Sequence, residues 1–139
     1  QMLVCSSMGA TAFQKGLGGM HALAHPLGAL FDAHHGMLNA ILMPYVLKAN
    51  RPEVEARITR LSAYLELQET GFDGFMTWIL QLRRQLLIPA SLATLDIDKA
   101  QANTVAKMAT EDPSAGGNPI TFSQEQYRQI FVDAVDGVL

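Results

Sequence analysis

The chain has 139 residues, of which 49% are apolar and 17% charged, with a formal net charge of −3. That balance fits one globular domain with a sizeable core and excludes disorder; ten scattered Lys and Arg leave no basic stripe for nucleic acid. No apolar run approaches the roughly 20 residues of a membrane span. The lone Cys5 excludes an internal disulfide and fits a reducing, cytoplasmic compartment.

Helical periodicity dominates from the first residue. Val4, Cys5, Met8 and Ala12 recur at helical spacing and predict a helix over 1–13, ended near Gly16. No capping residue precedes it and no signal-peptide pattern is present. The chain therefore reads as starting mid-element, a piece of a longer protein, and Cys5 as a small buried apolar residue. A second helix is predicted over 20–31, with Pro26 kinking it or breaking it after His25. A third follows over 36–48, with Pro44 a second kink.

Asn50, with Glu53 three residues later, predicts a capped helix start. Val54, Ile58, Leu61 and Leu65 form its apolar stripe, leaving Glu55, Arg57 and Arg60 for water. Residues 71–87 repeat the pattern through Phe72, Phe75, Met76, Ile79 and Leu86, and Ile88-Pro89 stops it. Phe72, Phe75 and Trp78 are read as core, and Arg83-Arg84 as a solvated face. Asp96 and Asp98 suit turns or caps, and a helix is expected over 98–110. Two Pro and two Gly make 112–119 a loop. Ser123 and Gln126 form a capping box before the stripe Tyr127, Ile130, Phe131, Ala134 and Val135. No period-2 strand appears, so the fold class is all-α.

All four histidines fall within fifteen residues: His21, His25, His34 and His35. On a helix, His21 and His25 share one face a turn apart, and a second helix can bring His35 back to them. The zinc-protease pattern is excluded, because its general-base Glu is Ala22 here. Ordinary helix histidines and a self-contained metal site both remain open on spacing alone.

The residues support a more specific statement. Lys15 to Ala29 reads Lys-Gly-Leu-Gly-Gly-Met-His-Ala-Leu-Ala-His-Pro-Leu-Gly-Ala, followed by His35-Gly36 and Asn39-Ala40-Ile41-Leu42-Met43-Pro44. This resembles the iron-containing (group III) alcohol dehydrogenases, whose signature joins Gly-Leu-Gly, His-x-x-x-His-Pro-Leu-Gly and a His-Gly fourteen residues after the first His. Ile88-Pro89, Ala90 and Gly117-Asn118-Pro119 extend the resemblance more weakly toward the C-terminus, although Ile120 stands where relatives often carry Arg.

The resemblance implies that residues 1–139 form the C-terminal, all-helical, metal-contributing domain of a two-domain enzyme. The N-terminal α/β domain that binds NAD or NADP would lie outside the chain. It implies Fe2+, or Zn2+ in some members, bound partly by His21 and His35, with an upstream Asp and His completing the set. His25 would be a non-ligand near nicotinamide and substrate, binding substrate or relaying protons. Gly16, Gly18, Gly19 and Gly28 would allow close backbone approach. Hydride would pass between NAD(P) and a small alcohol or aldehyde, and the chain alone would be inactive and self-associate through its uncovered face. The contrasting expectation is a stand-alone helical module that binds metal or a partner without catalysis.

Overall fold

The computed structural model describes all 139 residues. Seven α-helices follow in order: α1 (Met2–Phe13), α2 (Gly19–Phe31), α3 (His35–Ala49), α4 (Arg51–Tyr64), α5 (Gly71–Gln85), α6 (Ala102–Glu111) and α7 (Gln124–Asp136). Short 3-10 turns at Leu92–Leu95, Lys99–Gln101 and Pro113–Gly117 connect the later helices, and no strand is present. The all-α class read from periodicity is the class observed. No helix is long and apolar enough to cross a membrane.

The core is built by α2, α3, α6 and α7. Helix α2 lies against α3 and α6, α6 packs on α7, and α7 returns to α3. One buried cluster of 21 residues joins them, with Leu23, Leu27, Leu38, Ile41, Leu42, Val105 and Phe131 fully enclosed. The stripe predicted on α7 is buried as expected: Tyr127, Ile130, Phe131, Ala134 and Val135 all face this core. Its Ser123–Gln126 capping box forms in both directions. Helices α4 and α5 make a separate hairpin, reaching the body through α3.

Several local expectations need correction. The break that Pro26 could have forced after His25 does not occur, and helical backbone continues through both Pro26 and Pro44. Both rings are buried, so packing on all sides offsets the lost amide donors. Asn50 precedes α4 but its side chain caps nothing. Its amide is instead exchanged with that of Asn118, donating at 2.9 Å and accepting at 2.8 Å. The α4 stripe is weaker than predicted: Leu61 and Leu65 are exposed, and Ser62 is the only buried residue of the helix. The helix expected over 98–110 begins as a 3-10 turn, because the Asp98 carboxylate caps Ala100 at 2.8 Å before α6 starts. Cys5 is exposed, since α1 buries none of its residues. Trp78 is more than a third exposed, whereas Phe72 and Phe75 are buried. Arg83 is half-buried while Arg84 is exposed.

Candidate metal centre

The site begins with the loop that launches α2. Gly19 donates its amide to Asn118 Oδ1 at 3.0 Å, and a methyl group on Gly18 or Gly19 would press on that oxygen at 3.1 Å. On the facing loop, a methyl group on Gly117 would overlap the Leu17 carbonyl. Two backbone segments 99 residues apart thus meet at near-contact distance. Asn118 closes the junction by donating to the Ile120 carbonyl at 2.7 Å. Gly16 and Gly28 differ from this expectation: nothing lies close to a side chain placed on Gly16, whose φ is +97°, and the nearest neighbour of Gly28 leaves room for one.

From that anchored start, α2 carries His21 in its first turn and His25 one turn later. Asp32, in the left-handed conformation, closes α2 on the Gly28 carbonyl and turns the chain toward α3. His34 then caps α3, its Nδ1 accepting from the Met37 amide at 3.2 Å. His35 opens α3 facing α2. Adjacent histidines therefore have different tasks: His34 ends a helix, and His35 joins the cluster.

The rings of His21, His25 and His35 form a triangle. Centroids are 5.9 Å apart for His21 and His25, 5.3 Å for His21 and His35, and 5.5 Å for His25 and His35. His25 and His35 stack at 15°, while the other two pairs are inclined. Asn39, one turn after His35, stands between two of them. Its amide nitrogen lies 2.9 Å from His35 Nε2 and 3.3 Å from His21 Nε2. An amide NH2 has two hydrogens, one for each imidazole. Both Nε2 atoms face one small volume, and the Asn39 oxygen is buried without a donor.

Charge in the site follows from burial. Desolvation lowers the pKa of His21 from its ordinary value, and the neighbouring His35 and His25 lower it further against the opposing pull of Asp112. The shift favours the neutral form of His21, the form in which an imidazole ligates metals. Asp112, at the end of α6, accepts from His25 Nδ1 at 2.9 Å. Burial works to raise its carboxyl, but hydrogen bonds from His25 and Ser114 outweigh that and hold it below the usual value. Tyr127, buried on α7 with no partner for its hydroxyl, is pushed up by burial and then by the charge of Asp112.

Two convergent imidazole nitrogens fit a divalent iron or zinc in ligand type. No group of three or more His, Cys, Asp or Glu side chains is placed to hold a metal ion. Asn39, Asp112 and Asn118 were not singled out as site residues in the sequence. Asn39 and Asn118 belong to quoted motifs, but Asp112 carried no signal beyond its place in a loop.

Comparison with known proteins identifies the fold's family. The family described as Fe-containing alcohol dehydrogenase, C-terminal, matches residues 1–135. The 4-hydroxybutyrate dehydrogenase of Cupriavidus necator is 35% identical over an alignment of 138 positions that covers 93% of this chain and 36% of that protein. The 1,3-propanediol dehydrogenase of Citrobacter freundii is 31% identical over an alignment of 143 positions, gaps included, that covers 96% of this chain and 36% of that protein. Among solved structures, a 1,3-propanediol oxidoreductase superposes with a TM-score of 0.79 at 29% identity, covering 85% of this chain and 32% of that one. This chain belongs to the iron-containing alcohol dehydrogenase family and corresponds to its C-terminal helical domain. It spans about a third of the length of the curated relatives it matches.

Proposed function

We propose that this chain is the metal-contributing part of an NAD(P)-dependent dehydrogenase acting on a small alcohol or aldehyde. The carrying observation is the convergence of His21 Nε2 and His35 Nε2 on one point, at 3.3 and 2.9 Å from the Asn39 amide nitrogen. His21 and His35 would hold Fe2+ or Zn2+, with an Asp and a further His supplied from outside residues 1–139. Bound there, the metal would supply Lewis acidity to polarise a substrate oxygen.

The chain's own residues prepare that event. The Gly18–Gly19 junction with Asn118 fixes the start of α2, and therefore the height of His21. Burial favours the neutral, ligating form of His21. His25 stands beside both ligands with Nδ1 engaged by Asp112, and its match to the family's non-ligand histidine supports a substrate-facing role. An N-terminal α/β domain would bring NAD or NADP to this face, in a cytoplasmic enzyme. The 139 residues alone would be inactive and would hold metal weakly.

The test is metal retention. Dialysed against a mild chelator, the 139-residue chain should lose added Zn2+, whereas the complete polypeptide that carries it should keep about one equivalent. His21→Ala or His35→Ala should abolish retention in the complete protein. Stoichiometric metal surviving on the short chain would favour a self-contained binding module. NAD(P)-dependent turnover by that chain would overturn the division of labour proposed.

A further inference from the structure

We propose that Asp112 is a positioning residue that sets the tautomer of His25 and leaves its Nε2 bare to accept a hydrogen bond from a substrate hydroxyl. This rests on the reading of His25 as a substrate-facing residue and goes beyond it by assigning how the ring is held. Asp112 lies 87 positions from His25, between the end of α6 and the Pro113–Gly117 turn. Its Oδ2 meets His25 Nδ1 at 2.9 Å, while its Oδ1 accepts from the Ser114 amide at 2.7 Å. Both oxygens are therefore engaged, and the carboxylate cannot swing away from the ring without giving up the turn it caps.

The two side chains differ in exposure: 13% for Asp112 against 41% for His25. The carboxylate is the enclosed support and the imidazole is the part that faces outward. An ionised carboxylate only accepts hydrogen bonds, so Nδ1 must carry the ring proton in the neutral form. Nε2 then keeps its lone pair, and no side chain or backbone group of the fold engages it. Stacking on His35 at 15° and edge contact with His21 hold the ring plane. A pure capping role for Asp112 would explain the Ser114 bond but not the second oxygen directed at His25.

The discriminating variant is Asp112→Asn. Its side-chain oxygen can keep the Ser114 bond while its NH2 faces Nδ1, which must then become the acceptor. Ring-nitrogen NMR of the 15N-labelled, metal-free protein at about pH 8, where an ordinary imidazole is neutral, reads this directly. His25→Gln identifies the resonances. The wild type should show His25 with Nδ1–H and bare Nε2, and Asp112→Asn should reverse the two. In the complete polypeptide, Asp112→Asn should raise KM for the alcohol about 3- to 10-fold, with kcat changed less.

An Nε2–H tautomer in the wild type overturns the proposal, and so does a tautomer unchanged in a folded Asp112→Asn protein. A reversed tautomer with unchanged KM also overturns it. The wild-type spectrum keeps the test decisive even if the variant fails to fold. Failure of the underlying reading looks different: His25→Gln itself would leave KM unmoved.

Discussion

Helices α1 and α2 have nearly the same length and comparably apolar sequences, yet their fates differ. Helix α2 buries Gly19, Ala22, Leu23, Ala24, Pro26 and Leu27; α1 buries nothing. Met2, Leu3, Val4, Met8 and Phe13 are all more than half exposed. The difference lies in partners. Helix α2 is enclosed by α3, α6, α7 and the Pro113–Gly117 turn, and no element packs substantially on α1. Small residues sharpen the effect, because Ala22 and Ala24, both fully buried, let neighbouring helices approach α2 closely. Apolar content supplies the capacity for burial, and only a facing surface realises it.

The sharpest way to break this comparison is to delete matching side chains on the two helices. Leu23→Ala, at a site with no solvent exposure, should destabilise the chain by about 2–5 kcal/mol in denaturant unfolding. Leu3→Ala, at 88% exposure, should change stability by about 0.5 kcal/mol or less. Equal losses would show that α1 is packed after all.

A smaller effect is expected where α2 begins. Gly117→Ala should cost about 1–3 kcal/mol, since the added methyl must displace the Leu17 backbone. The same shift should move His21, seen as changed ring-nitrogen signals for His21 but little change in α7. A neutral Gly117→Ala would mean that the two loops part easily.

The smallest folding effect belongs to α1, but its effect on association should be clear. Met8→Lys combined with Leu3→Lys should leave the unfolding midpoint nearly unchanged and lower self-association in sedimentation. Unchanged association would place the sticky surface elsewhere.

Legibility in the sequence followed the range of the interactions. The α7 stripe and its capping box were readable because both depend on residues within one or two turns. His21, His25 and His35 could be grouped because four histidines fall so close together and helix geometry returns them to one face. The α4 cap at Asn50 misled for the opposite reason. A local signal was present, but a partner 68 residues away took the side chain. Cys5 misled in the same way, as helical spacing says where a face is and not whether anything covers it.

The sequence by itself determined the all-α class, the order of the helices and the histidine cluster, since helical periodicity and capping act over a few residues. Tertiary structure alone decided that His34 caps a helix while His35 faces His21. It also decided that Asn39 stands between two Nε2 atoms and that Asp112 takes the Nδ1 of His25. Those assignments depend on which helices meet and at what rotation. Side-chain hydrogen bonds require approach to within about 3 Å, a condition that only the packed core imposes.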